Sequence, residues 1–157
     1  MTPTDDIRIR AATADDAAAI SALTCASTRL RVAPDCTADG AARLLASMRP
    51  EDTRQRLLQG HRYVVAERAG GIVGVAAMRL PAHLYHLFVD DAVQRRGLAR
   101  RLWQALLAAC PNETVTVNAA RNAVEAYLRL GFVREGPEDA SSGIPSTPMR
   151  WRRPPPA

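Results

Sequence analysis

The sequence has little of what staples or anchors a chain. Its three cysteines, Cys25, Cys36 and Cys110, are odd in number, form no C-x-x-C pair and have no histidine at a zinc-ligand spacing. That argues against a disulfide framework, a structural zinc site and a marked nucleophile; small apolar packing residues are the expected identity of all three. No apolar run approaches the roughly 20 residues that cross a bilayer, and the acidic start Met1-Thr2-Pro3-Thr4-Asp5-Asp6 lacks the order of a secretory signal. A cytoplasmic chain without a membrane partner is the expectation. Aromatic residues make up only 4% of the sequence and nowhere interleave with a basic stretch. The net charge of +5 therefore does not indicate a nucleic-acid groove, and no nucleic acid is expected as partner. Neither G-x-G-x-x-G nor G-x-x-x-x-G-K-[ST] occurs, so dinucleotide and nucleoside-triphosphate folds lose support.

What is present suits one domain. A chain of 157 residues with 47% hydrophobic content can bury a self-sufficient core. We expect that domain over 1–153 and a disordered Pro-rich tail over 154–157. Ile7–Arg10 alternates as a half-buried strand, and Thr13 stands as N-cap of a helix to about Leu30 with Ala17, Ile20 and Leu23 inward. Residues 31–38 read as a loop, and Leu44, Leu45 and Met48 as a second helix that Pro50 interrupts or restarts. Two β-rich runs around Ala69-Gly70-Gly71 form a hairpin signal. His83–Val89 reads as a strand, Gly97 to about Ala109 as a helix, and Thr114–Val117 as a short strand. Arg121–Leu130 follows as a helix ended by Gly131, then strands at Phe132–Arg134 and Met149–Arg152.

The segment richest in chemistry is Val89 to Arg101. Its core is Q-x-x-G-x-A over Gln94–Ala99, with Arg95, Arg96, Arg100 and Arg101 grouped around it. Gly97 lets the backbone approach a ligand, Ala99 keeps the first helical turn narrow, and the unpaired N–H groups there point outward. A helix start of this kind binds anions, and a diphosphate could draw further charge-assisted bonds from the arginines. Glycine at a helix start for packing alone is the plain alternative.

Leu87-Phe88-Val89 followed by Gln94-Arg95-Arg96-Gly97-Leu98-Ala99 resembles the pyrophosphate-binding motif of GNAT acetyltransferases, Q/R-x-x-G-x-G/A. Asn118 through Phe132 resembles the family's next motif, in which N-x-x-x-N-x-x-x-x-Y precedes G-F. Asp91 stands where the family often has Pro, and Arg95 where it often has Gly. The resemblance implies an α/β (α+β) fold with a twisted mixed sheet of about six or seven strands flanked by about four helices. It also implies acetyl-coenzyme A as cosubstrate, with no metal, and direct acetyl transfer to the amine of a small molecule or peptide.

By the same resemblance the pantetheine arm lies along the strand of Leu87, Phe88 and Val89, and the diphosphate sits on the backbone from Gln94 to Arg100. Asn122, and with it Asn118, hydrogen-bonds the cofactor; a turn or cap role before the helix is the alternative for Asn118. Tyr127 is the candidate general acid, since a phenol of pKa about 10 can hydrogen-bond and protonate a leaving thiolate of pKa about 8.5. An aromatic packed in the core is its plain reading. His83 is the candidate general base, expected to share a face with Tyr85 and Leu87 while His86 points away; a strand-end surface histidine is the alternative. Tyr85 is a candidate substrate contact. Asp35, Asp39, Glu138 and Asp139 could attract a cationic amine or be solvated loop charges. A homodimer is compatible with the sequence. The competing functional readings are a catalytically silent coenzyme A-binding module and, less favoured by the charge pattern, a nucleic-acid-binding domain.

Overall fold

A computed structural model describes residues 6–156; residues 1–5 and 157, with the acidic start and the last tail residue, lie outside it. Seven strands form one mixed sheet. They are β1 (Arg8–Ala11), β2 (Arg62–Arg68), β3 (Gly71–Arg79), β4 (His83–Val89), β5 (Thr114–Ala120), β6 (Val133–Arg134) and β7 (Ser146–Arg152), in the spatial order β1-β2-β3-β4-β5-β7-β6. All neighbours are antiparallel except β4 and β5. Five α-helices accompany the sheet: α1 (Ala17–Ser27), α2 (Ala38–Ala46), α3 (Pro50–Leu58), α4 (Leu98–Ala108) and α5 (Val124–Arg129). That is one helix more than the expected four, because Pro50 at N1 restarts the chain as α3.

The core lies in two layers. On one face Leu98, Leu102, Trp103 and Leu106 of α4 pack onto β2, β3 and β4, together with Phe132 and Trp151. On the other, Ile20 and Leu23 of α1 meet Tyr63, Val65, Val75 and Ala77. Ala17, Ile20 and Leu23 are indeed buried, as the spacing requires.

The helix read as ending near Leu30 instead changes pitch. After α1 the chain runs as a π-helical turn over Thr28–Val32 and a 3-10 turn over Ala33–Asp35, so most of the expected loop 31–38 is helical. β5 and β7 extend beyond the expected Thr114–Val117 and Met149–Arg152, because each strand supplies the other with backbone partners from Thr114–Arg152 to Ala120–Ser146. Asn118 thus stands within β5, opposite Pro148, and not in a turn before the helix. Of the cysteines only Cys110 is buried; Cys25 and Cys36 are half-buried, and burial with neighbouring Asp35 pushes the Cys36 thiol up.

Candidate active site

The site begins where the sheet comes apart. β4 and β5 pair only at His83–Thr116 and Leu84–Val117, although β4 continues to Val89 and β5 to Ala120. Beyond Leu84 the facing main-chain groups of the two strands are not bonded to each other. A cavity of about 540 Å³ opens there, and its lining includes Leu87 and Val89 of β4 and Val117 and Ala120 of β5.

A bulge shapes this gap. In the pairing with β3, Ala77 faces His86 while Met78 faces Leu84, which leaves Tyr85 as an extra residue in β4. Alternation is therefore broken. Tyr85 and Phe88 join the α1 layer, and the His86 ring lies 4.3 Å from that of Tyr85 and 5.5 Å from that of Phe88. Leu87 and Val89 pack toward α4. The expected grouping of His83, Tyr85 and Leu87 on one face, with His86 opposite, is corrected: the bulge sends Leu87 across and brings His86 beside Tyr85.

One end of the cavity is the turn into α4. Gly97 is the N-cap, with φ of 70°, a left-handed value that glycine takes without steric cost. The first main-chain bond of the helix runs from Arg101 N to the Gly97 carbonyl at 3.1 Å, so the amides of Leu98, Ala99 and Arg100 have no helical acceptor. A Cβ built on Gly97 would meet nothing within 4 Å, so the backbone there is open to a ligand. Gln94 donates from its side-chain amide to the Val89 carbonyl at 3.0 Å and closes the turn. Arg95 has φ of 65°, the same left-handed region, at a position without glycine's freedom. Gln94, Arg95, Gly97, Leu98, Ala99 and Arg100 line the cavity. Arg96 is exposed and outside that lining, and Arg100 also donates to the Arg129 carbonyl at 2.8 Å. Apposed bare amides and guanidinium groups make this end fit for a diphosphate.

Across the gap stand Asn118, Asn122 and Tyr127, all in the lining. Tyr127 is 6% exposed and packs edge-on against Phe132, with centroids 5.3 Å apart. Burial pushes its hydroxyl well above the ordinary phenol value, so at neutral pH it keeps its proton. The core reading and the cavity reading of Tyr127 both describe it: the ring packs, and the residue still reaches the cavity.

His83 does not line the cavity. Its Nδ1 lies 2.8 Å from Thr116 Oγ1, at the point where β4 and β5 are still paired, and burial with nearby Arg79 lowers its pKa. Tyr85 does reach the cavity. Its hydroxyl bonds that of Tyr63, which accepts from Arg56 Nε at 3.0 Å, and the Arg56 guanidinium lies 5.5 Å from the centre of the Tyr85 ring. Burial, with Tyr63 adding, raises the Tyr85 hydroxyl, and burial drives His86 down to about 3.

No motif in the sequence singled out the remaining residues of the lining. Ser27, Thr28, Arg31 and Val32 come from the end of α1 and the π-turn, and Leu44 and Met48 from α2 and the residues after it. Ile144 and Pro145 come from the loop before β7. Gly40 and Gly143 bring the last two groups together: a Cβ on Gly40 would collide with the Gly143 carbonyl, which accepts from Thr37 N at 2.9 Å. Arg31 is paired with Asp91. The acids expected to meet an amine lie elsewhere. Asp35 and Glu138 both bind Arg121, and neither they nor Asp39 and Asp139 line this cavity.

Residues 32–153 match the family model described as an acetyltransferase (GNAT) domain. No curated protein matches the sequence. Among solved structures, a GCN5-related N-acetyltransferase from Rhodopseudomonas palustris shares 24% identity, with a TM-score of 0.77 over 93% of this chain and 95% of its own. The PaiA N-acetyltransferase of Thermoplasma acidophilum, in complex with coenzyme A, shares 13% identity, with a TM-score of 0.81 over 94% and 99%. YncA of Salmonella typhimurium, a putative acetyltransferase with its cofactor acetyl-CoA, shares 24% identity, with a TM-score of 0.66 over 98% and 97%. At these identities the likeness is one of fold.

Proposed function

The chain belongs to the GNAT acetyltransferase family, and from that premise we propose that it moves an acetyl group from acetyl-coenzyme A to a primary amine by direct attack. The observation that carries this reading is that one cavity joins the bare amides of Leu98, Ala99 and Arg100, the unpaired edge of β4 and the buried Tyr127.

When bound, acetyl-coenzyme A supplies the thioester that the amine attacks. The amides opening α4 hold the diphosphate, with the helix dipole worth roughly 0.3–1 kcal/mol and the guanidinium of Arg95 adding charge-assisted bonds. Main-chain groups of Leu87, Phe88 and Val89 hold the pantetheine arm as a strand edge holds a peptide, and Asn118 and Asn122 bond it from the far wall. Fixing amine and thioester in one cleft supplies much of the rate.

Tyr127 donates to the sulfur as the carbon–sulfur bond breaks and the carbon–nitrogen bond forms. Its raised pKa keeps the hydroxyl protonated at neutral pH, so that it can donate a hydrogen bond to the leaving sulfur. The proton released by the amine leaves through water and restores Tyr127. His83 is bonded to Thr116 and lies off the lining, so it is not placed to take that proton directly.

Calorimetry with acetyl-coenzyme A, followed by thiol release on pools of amines, tests the reading. Binding with amine-dependent thiol release supports it. Binding with silence on every amine pool turns the chain into a coenzyme A-binding module, and no binding ends the reading.

A further inference from the structure

Resting on the acetyl-transfer reading of this cavity, we infer that the acceptor is an apolar monoamine, an alkyl- or arylalkylamine with an uncharged body, and not a polycation or a lysine side chain in a basic peptide. The part of the lining that the phosphate turn and the β4–β5 gap do not use comes from the π-turn, α2 and the loop before β7. Its apolar groups are Val32, Leu44, Met48, Ile144 and Pro145.

The charge of this region decides the class. No Asp, Glu, His or Cys occurs among the described residues that line the cavity. The one charged side chain here, Arg31, is positive and already matched by Asp91. A second positive charge lies behind Tyr85, where Arg56 stacks on the ring and donates to Tyr63. An acceptor with several ammonium groups would have to shed water from each and find no anion in return, a cost of several kcal/mol per unpaired ion. Glu138 and Asp139, which could have offered one, line a neighbouring pocket that shares only Asn118 and Ser146 with this cavity, and both are engaged there, Glu138 by Arg121 and Asp139 by the Ser141 amide.

A single nitrogen on an apolar body meets the opposite conditions. Its hydrocarbon is welcomed by Leu44, Met48 and Ile144, and each buried methylene adds roughly 0.8 kcal/mol. Its nitrogen enters as the free base, with Ser27 as a hydroxyl partner along the wall. No ion is left unpaired.

The test compares kcat/KM for 2-phenylethylamine, benzylamine and hexylamine with that for spermidine and a lysine-arginine tripeptide blocked at its N-terminus, read by thiol release. The wild type should prefer the apolar monoamines by about tenfold or more, the equivalent of about 1.4 kcal/mol. Leu44→Glu, which places a carboxylate in the lining outside the coenzyme machinery, should narrow or reverse that ratio by a similar factor while acetyl-coenzyme A affinity in calorimetry stays put; Ile144→Glu repeats the comparison from the other segment. Spermidine or the peptide ahead of all three monoamines in the wild type overturns the inference and leaves acetyl transfer standing. Silence on every amine with the acyl donor still bound removes the transfer reading and this inference with it.

Discussion

The side-chain amide of Gln94 donates to the main-chain carbonyl of Val89 at 3.0 Å, tying the end of β4 to the turn that opens α4. Two parts of the cavity, the strand edge and the bare amides, are thereby held at a fixed spacing. Gln94→Ala removes the donor without touching any amide. A hydrogen bond of this kind contributes about 1 kcal/mol, so the Kd for acetyl-coenzyme A should rise about fivefold in calorimetry. An unchanged Kd would mean that the turn keeps its shape without Gln94.

Tyr127 offers a cleaner separation of binding from chemistry. Phe at this position preserves the ring against Phe132 and removes only the hydroxyl. Tyr127→Phe should lower kcat by about a hundredfold, the lower end of what a positioned acid contributes, while the calorimetric Kd moves little. Equal loss of kcat and affinity would instead mark the hydroxyl as a binding group.

The two ends of the cavity differ in how far sequence could reveal them. The α4 turn is a local object: Gly97, Ala99 and the arginines lie within one stretch, and their spacing alone exposes the amides. The direction of each β4 side chain is not local. Period-two alternation puts Tyr85 with Leu87, and only the pairing with β3, which leaves Tyr85 unmatched, shows that the strand changes faces. The acceptor wall is less legible still. Thr28, Leu44 and Ile144 have no common pattern; α2 and the loop before β7 meet because the bare Cα of Gly40 leaves room for the Gly143 carbonyl, a contact between residues far apart in the chain.

Arg95 holds a left-handed φ of 65° at a position where the family often places glycine. That conformation costs a side-chain-bearing residue roughly 1–2 kcal/mol, and glycine gives back about 0.5–1 in chain entropy. Arg95→Gly should therefore stabilise the fold slightly, raising Tm by about 1–4 °C. The same change removes a guanidinium from the diphosphate end, so Kd for acetyl-coenzyme A should rise and lose part of its salt dependence. A fall in Tm would show that the Arg95 side chain repays its strain.

Acid stability should depend on the knot that starts α1. Asp16 takes two bonds from Arg10, at 2.8 and 2.9 Å, and one from Thr13 N at 2.8 Å, while Arg10 also holds Glu67 of β2. The Arg10 bonds, ahead of burial, which opposes them, keep the Asp16 carboxyl below its ordinary 3.8. A depressed folded-state pKa means that this stabilisation is complete above the unfolded value and is lost as pH falls through the folded one. Asp16→Asn should thus be less stable than wild type in urea at pH 7, and the gap should close as pH falls from about 4 toward 2. A gap of constant size across that range would assign the effect to packing.

Proton removal from the amine is the step for which the described residues of the cavity wall offer no carboxylate or imidazole as base. His83 stands at the start of β4, and its lowered pKa leaves it neutral, hence able to accept a proton, at pH 7. Position argues against it: its Nδ1 lies against Thr116 Oγ1 at 2.8 Å, where β4 and β5 are joined, and the cavity opens only beyond that pair. His83→Ala should therefore cost stability, about 1 kcal/mol for the partner taken from Thr116, and keep the shape of the kcat/KM against pH profile. The rising limb should follow the pKa of whichever amine is supplied, since the free base is the form that attacks. Comparing two amines whose pKa values differ by a unit or more decides the matter: a limb that shifts with the amine in both proteins assigns the proton to water, and a limb that vanishes with His83 restores the imidazole as base.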